Sequence, residues 1–443
     1  MGITTANFSA ETQKGRSMIN AVTSSPRARL FALAWGMALL FYVLEYGTRS
    51  APAVMIPQLS KAFTETAVGV SAILGAYYYT YSVTSLLAGM ALDRFGAKYA
   101  VAFGAAMLGV GCLVFAIADP AAGYTGRLLQ GAGSSFAFTG AVYLAARAFS
   151  PRSLATAIGV TQCLGMLGGS AGQFLVGPLI KDGVYWNNIW IFFGIVGLAL
   201  AVCLVLITPG SDTPEKSKPA ASLLSLLTPY KIVLGNPQSY LCGFIAGLMF
   251  VPTTVGDMTW GVAFFQQDKH LDFQHAVTVV SMVPLGWVVG CPLLGWLADR
   301  IGLRKPVLIG GGLVMVVAIA QISLLPSLLS PIFGMLILGV ASGAAMIPYT
   351  IIKEANPDEV KGSATGAINF LNFGISALVG PLFGGVFGRT LETTADAFVH
   401  FRHAGLFWMA AVLLAVVMSF FLHETGHRRV TQPGPRTLNA VRQ

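Results

Sequence analysis

Apolar runs of about 20 residues recur along this chain, and nothing else in it restricts the fold as strongly. A helix rising 1.5 Å per residue needs about 20 apolar residues to cross the hydrocarbon of a bilayer. Twelve such runs are read, at 30–59, 67–91, 99–118, 121–146, 153–180, 187–208, 237–266, 273–297, 306–326, 331–352, 362–388 and 403–423. Charged residues make up only 10% of the chain, against roughly 25% in a soluble domain, and the mean hydropathy is +0.71. Barrel strands would alternate polar and apolar residues over about 10 positions, so the spans are helices and the class is an all-α membrane protein. The 51 glycines are not periodic; small residues of this kind let membrane helices pack closely. The first 29 residues are polar and basic without the form of a cleavable signal peptide, and the first span follows at once.

The net charge of +9 could point to nucleic acid, but its distribution argues against such a partner. With an even span count both termini share one face. That face carries 20 of the 27 Lys and Arg residues, the opposite face 5, and Arg49 and Arg127 lie inside spans. The bias places termini and linker in the cytoplasm and the protein in the cell (inner) membrane, surrounded by lipid. The five cysteines (Cys112, Cys163, Cys203, Cys242 and Cys291) fall inside apolar runs without metal-ligand spacing and read as small buried hydrophobes. No metal or cofactor is expected. His270, His275, His400 and His403 sit at outer loops or helix ends and read as surface histidines.

The chain also repeats itself. Gly89-Met-Ala-Leu-Asp93-Arg94-Phe-Gly96 recurs 206 residues later as Gly295-Trp-Leu-Ala-Asp299-Arg300-Ile-Gly302, and the same offset relates Arg147 to Lys353 and Pro151 to Pro357. Two homologous six-helix halves follow: a tail 1–29, a first half 30–208, a Pro-, Gly- and Ser-rich cytoplasmic linker 209–235, a second half 236–424 and a tail 425–443.

These repeated loops resemble the signature of the major facilitator superfamily, Gly-x-x-x-Asp-Arg-x-Gly followed by basic residues. Lys98 supplies the basic residue in the first copy, with Ala97 where another is common; Arg304 and Lys305 supply it in the second. The resemblance covers residues 28–425. It implies a transporter working by alternating access, mostly monomeric, with Gly89, Asp93, Arg94, Gly96, Arg147, Gly295, Asp299 and Arg300 as gating parts. Topology anchoring is an equal alternative for Arg94 and Lys98. Arg127-Leu-Leu-Gln130-Gly131 resembles the family's Arg-x-x-Gln-Gly motif, which is linked with proton coupling. Gly380-Pro381 resembles the antiporter motif of drug exporters, displaced from the fifth span to the eleventh.

Charges inside a span are expensive, at least ~2.5 kcal/mol each, and mark functional sites by default. Glu45 lies about 24 Å along the first helix from Arg29, near mid-bilayer, with Arg49 one turn further on the same face. Arg127 is about 10 Å deep, and Asp257 lies at a depth comparable with Glu45 and Arg49. Glu45 and Arg49 could simply neutralise each other, but Arg127 and Asp257 need partners too. Low dielectric favours the neutral acid, so Glu45 and Asp257 are candidate proton acceptors, while Arg49 and Arg127 stay charged and suit a carboxylate or phosphate on a solute. Tyr46, Tyr77, Tyr81, Gln130, Trp260, Asn369 and Asn372 are further candidates to bind solute; an aromatic belt or interhelical bonding is the plain alternative for several of them. The glycines Gly165, Gly168, Gly169 and Gly172 read as packing residues, small enough to let the two halves approach and slide.

The reading is a proton-coupled symporter for a small carboxylate-bearing solute, an organic acid or amino acid. The rivals are a proton-driven exporter of amphiphilic compounds and a non-transporting sensor on the same scaffold. An intramembrane enzyme has no support, because no metalloprotease, nucleophile or metal motif is present.

Overall fold

The computed structural model describes residues 26–149, 151–210, 228–267, 269–325, 328–357, 360–384 and 397–426. Among these the chain is helical, with no strand. Helix α1 is Pro26–Ser50, followed by a 3-10 turn (Ala51–Val54) and a short helix (Ile56–Phe63). The expected first span ran to 59; Pro52, which cannot donate to the helix ladder, ends the α-helix early. Helices α2 and α3 form the continuous segment Ala67–Phe115 and part at Gly96, whose φ of 72° and ψ of 169° suit glycine alone. Then come α4 (Pro120–Ala148), α5 (Pro151–Phe174, continued by Val176–Lys181), α6 (Trp186–Ile207), α7 (Pro237–Gln267), α8 (Phe273–Ile301), α9 (Lys305–Leu324), α10 (Pro331–Glu354), α11 (Lys361–Phe383) and α12 (Ala397–Ser419).

Ten of these segments are long and apolar enough to cross a membrane. The expected spans 67–91 and 121–146 fall on α2 and α4, which are long enough but less apolar, because tyrosines in α2 and Gly, Ser, Arg127 and Gln130 in α4 dilute them. Most of those residues, Tyr77, Tyr78, Tyr81, Arg127 and Gln130 among them, face the interior rather than lipid, while Tyr79 is exposed. Local capping explains many of the helix starts: Thr66, Asp119, Asn236 and Asp272 each accept a bond from a backbone N–H two or three residues on.

The two halves meet along two seams. Helix α2 packs against α11, where Ser82 donates to the Phe370 carbonyl (2.6 Å), and α5 packs against α8, where Ser170 donates to the Ser281 carbonyl (2.9 Å). Exchanging the halves by the 206-residue offset turns one seam into the other, as homologous halves require. The linker's last eight residues are not irregular: Thr228–Gly235 is a helix, and Tyr230 donates to the Leu86 carbonyl of α2 (2.9 Å).

The α5 glycines do pack closely, mostly inside the first half rather than between the halves. A Cβ on Gly165 would meet the Tyr42 ring, one on Gly168 the Val43 backbone and one on Gly172 the Ser50 and Gly47 atoms of α1; Gly169 alone of the four looks across, toward Met258 and Pro284.

Two irregular segments shape the interior. In α7, Pro252–Trp260 is π-helical, beginning at the proline that removes one backbone donor. In α10, a 3-10 turn at Gly343–Met346 precedes Pro348 and carries Tyr349 into the interior.

Candidate functional site

The site begins with α1. Its buried face runs unbroken from Leu44 to Ser50, and Glu45 and Arg49, one turn apart, form a buried ion pair. Glu45 has no exposed surface and Arg49 is 2% exposed, so the pair is sealed from both sides of the bundle. Tyr77 of α2 donates to Glu45 Oε1 (2.5 Å) and accepts from Arg49 Nη2 (3.2 Å). Gly131 sets that tyrosine: a Cβ there would stand 2.0 Å from the Tyr77 carbonyl, so the glycine of the Arg-x-x-Gln-Gly motif lets α4 lie against α2.

The Arg49 guanidinium is walled by aromatic faces, with its carbon 4.4 Å from the Tyr46 ring centre, 5.0 Å from Tyr81, 5.1 Å from Phe373 and 5.2 Å from Tyr77. Three polar atoms of the pair still have no hydrogen-bond partner among the described residues: Glu45 Oε2, Arg49 Nε and Arg49 Nη1. An unpaired buried polar atom costs about 1–3 kcal/mol, so these atoms are poised for a ligand.

Arg127 and Gln130 lie behind the same tyrosine, but Arg127 is used differently. Its donors reach the carbonyls of Thr48 (3.2 Å) and Leu74 (3.4 Å) and the Gln130 side chain (2.7 Å), and its guanidinium stands 4.7 Å from the Tyr77 ring. Gln130 passes the tie on to the Gly111 carbonyl (3.1 Å). Arg127 thus clamps α1, α2 and α4 and has no carboxylate partner among the described residues. One carboxylate and two guanidinium groups leave the centre with a net charge of +1.

From the second half, α11 presents Asn369 and Asn372. Asn372 donates to Tyr349 (2.9 Å), which donates to Asn369 Oδ1 (2.7 Å); Asn372 Oδ1 is buried and unpaired. Sequence reasoning missed Tyr349 and Phe373. Tyr349 left a signal, a tyrosine directly after Pro348 in an apolar span, whereas Phe373 left none.

Other expected residues lie elsewhere. Asp257 and Trp260, on the π-helical segment of α7, line a cavity of about 80 Å³ among α7, α9, α10, α11 and α12 rather than the Arg49 cage. Asp257 is 3% exposed, and both its oxygens lie outside normal hydrogen-bond geometry. Of the gating candidates, Gly96 supplies the positive-φ turn that ends α2; Gly302 (φ 70°), its repeat equivalent, does the same for α8. A Cβ on Gly89 would meet only the Tyr230 hydroxyl, at an ordinary 3.9 Å, and one on Gly295 would meet nothing within 4 Å. Arg147 is exposed over the Tyr143 ring (3.9 Å), and Arg300 lies over Trp296 (5.1 Å). Asp299 is bound by Arg304 (2.5 Å), which also grips Glu354 of α10 (2.9 Å). The side chains of Asp93 and Arg94 lie outside the described residues.

Comparisons with known proteins agree with this architecture. The family profile of the Major Facilitator Superfamily matches residues 38–381. The chain is similar to the probable galactarate/D-glucarate transporter GudP of Escherichia coli (strain K12), 21% identical over 441 residues that cover 91% of this chain and 96% of that protein. It is also similar to the drug efflux pump JefA of Mycobacterium tuberculosis (strain CDC 1551 / Oshkosh), 22% identical over 428 residues, covering 83% and 81%. In fold it resembles the inward-facing, occupied structure of a bacterial homolog of the human lysosomal transporter Spinster, with a TM-score of 0.68 at 14% identity over 90% of this chain and 97% of that one. A profile match over most of the length, on an all-helical bundle of long apolar helices, settles the assignment: the chain belongs to the major facilitator superfamily and is a membrane transporter, not an enzyme.

Proposed function

We propose that the protein is a proton-coupled symporter of a small carboxylate-bearing solute, with twelve spans in two halves and both termini in the cytoplasm of a cell whose inner membrane it occupies. The observation that carries this reading is the central charge. Two buried guanidinium groups face one carboxylate, and Arg49 has unpaired donors. A sealed site of net +1 attracts an anion and repels a cation.

Arg49 holds the solute carboxylate in this reading, since the donors of Arg127 are largely taken by α1, α2 and α4. Glu45 is the proton acceptor. While ionised it occupies Arg49; once neutral it releases Arg49 to the anion, so one ion pair couples the two binding events. Tyr46, Tyr77 and Tyr81 wall the site, and Asn372 Oδ1 offers an acceptor to a hydroxyl or ammonium group at the solute's other end. Asp257 is a second proton acceptor in a separate compartment. The likeness to GudP, whose name gives two sugar diacids, agrees with an acidic solute.

The likeness to JefA supports a second reading, export of amphiphilic compounds. A thermal-shift panel of organic acids, amino acids, sugars and lipophilic cations at two pH values separates the two, because a ligand of the folded state raises the melting temperature by mass action. Stabilisation by carboxylates, greater at low pH and lost in Arg49→Gln, supports symport. Stabilisation by lipophilic cations alone overturns it.

A further inference from the structure

One sizeable void lies away from the central site. A groove of about 540 Å³ lies among α8, α9 and α10, lined by Leu297, Ile301, Val307, Gly310, Val314 and Ile337 with almost no polar surface. It opens on the outside of the bundle. Along α9 it runs from Pro306 to Val314, about 12 Å at 1.5 Å per residue, close to the depth of one leaflet's hydrocarbon. A void of this size in contact with lipid fills with chains, since an empty wall forfeits its dispersion contacts.

The mouth of the groove decides which lipid. It lies at the basic end of the bundle, beside the α8–α9 turn. Arg300 is exposed there, with its guanidinium over the exposed Trp296 ring and no ion pair among the described residues. Lys305 opens α9 next to the lining residue Pro306, and its ammonium donates to the Phe420 carbonyl (2.9 Å) with donors to spare. The acidic groups nearby are already engaged: Asp299 and Glu354 by Arg304, and Glu424 by the backbone N–H groups of Arg304, Lys305 and Gly426. Arg300 and Lys305 are thus the charged groups at the mouth without an ion pair among the described residues, and Trp296 is an interfacial anchor beside them.

We propose that this groove is a binding site for an anionic phospholipid of the inner leaflet, with one acyl chain between α8, α9 and α10 and its phosphate on Arg300 and Lys305. A second copy of the chain is a poorer occupant, because it would bring the same basic mouth against this one. Juxtamembrane cations near an anionic lipid surface contribute roughly 1 kcal/mol each, about fivefold in affinity.

Gly310 supplies the test, because a Cβ on it would meet nothing within 4 Å. Gly310→Leu therefore fills the groove without displacing a neighbour. The purified protein is titrated with phosphatidylglycerol or phosphatidylcholine of identical chains, and retained lipid is read by native mass spectrometry. The wild type is expected to retain phosphatidylglycerol preferentially. Arg300→Gln should reduce that preference about fivefold, and Gly310→Leu should abolish the retained lipid. Gly36→Leu on α1, where an added Cβ also meets nothing, is the matched control and should bind as wild type. The proposal fails if both lipids are retained equally by the wild type, if Gly310→Leu retains phosphatidylglycerol unchanged, or if Gly36→Leu loses it as well. Should Gly310→Leu fail to fold, the surface variant Arg300→Gln decides: an unchanged preference refutes the site.

Discussion

Glu45→Gln is the substitution on which the coupling mechanism stands or falls. The amide keeps the shape of the side chain and an acceptor for Tyr77, but it removes the counter-charge of Arg49, and the centre goes from +1 to +2. Removing one partner of a buried ion pair typically destabilises by about 3–5 kcal/mol, because the other charge is left uncompensated. The variant without solute should therefore melt well below wild type. An anionic solute would then meet Arg49 without competition from Glu45. At about 4 Å and an effective dielectric constant near 20, a unit charge pair is worth about 4 kcal/mol. Allowing for imperfect placement, a gain of about 2–4 kcal/mol is expected, roughly 30- to 1,000-fold in affinity. In proteoliposomes the variant should exchange labelled solute for unlabelled solute, yet show no accumulation driven by a pH gradient. Accumulation at wild-type level would refute Glu45 as the proton site. Anion affinity equal to or weaker than wild type would refute its competition for Arg49.

Three further outcomes follow from the same geometry. Arg127→Lys keeps the charge but cannot reach the Thr48 and Leu74 carbonyls and Gln130 together, so it should lower stability by about 1–3 kcal/mol while weakening solute binding less than Arg49→Lys does; melting curves with and without solute measure both. Tyr349→Phe removes the donor to Asn369 and the acceptor of Asn372, and should cost about 1–2 kcal/mol in stability and raise the solute Kd several-fold. Glu424 is partly buried, which raises its pKa, but the backbone N–H groups of Arg304, Gly426, Lys305 and Thr425 outweigh that and hold the carboxyl below its ordinary value. A depressed carboxyl stabilises the fold above its unfolded pKa of about 4.3 and loses that contribution as pH falls through the folded value. The stability difference between wild type and Glu424→Gln should be constant from pH 6 to 8 and close below about pH 4.

Much of this was legible from the chain because membranes leave few choices. A run of 20 apolar residues can do little but cross as a helix, and a polar group inside one must find a partner or a purpose. Glu45, Arg49, Tyr46, Tyr77 and Tyr81 accordingly meet where the depth of Glu45 and the face of α1 placed them. Depth along a helix does not say which way a side chain points around it, however. Asp257 matches Glu45 in depth, yet it sits on a π-helical stretch, where each residue is rotated from its α-helical bearing, and it faces the α7–α12 cavity and Gln173 of α5 rather than Arg49. Arg127 and Arg49 look equivalent in sequence. Their difference lies in the backbone carbonyls of α1 and α2, which no side-chain pattern encodes.

The repeated loops carry a further asymmetry. The 206-residue offset maps Arg304 onto Lys98 and Glu354 onto Ala148, so the network that binds Asp299 to α10 has no counterpart built from the same residues in the first half. Arg304 is a fork that holds Asp299 and Glu354 at once, Thr425 adds a bond to Glu354 (2.5 Å), and Glu424 caps the start of α9. The second copy of the motif is thereby stapled to α10 and to the segment after α12 within its own half. A loop tied in this way moves with its half as one body. The residues that change partners during alternating access are then to be sought along the α2–α11 and α5–α8 seams, where single hydrogen bonds from Ser82 and Ser170 to backbone carbonyls can break and reform without leaving a charge unpaired.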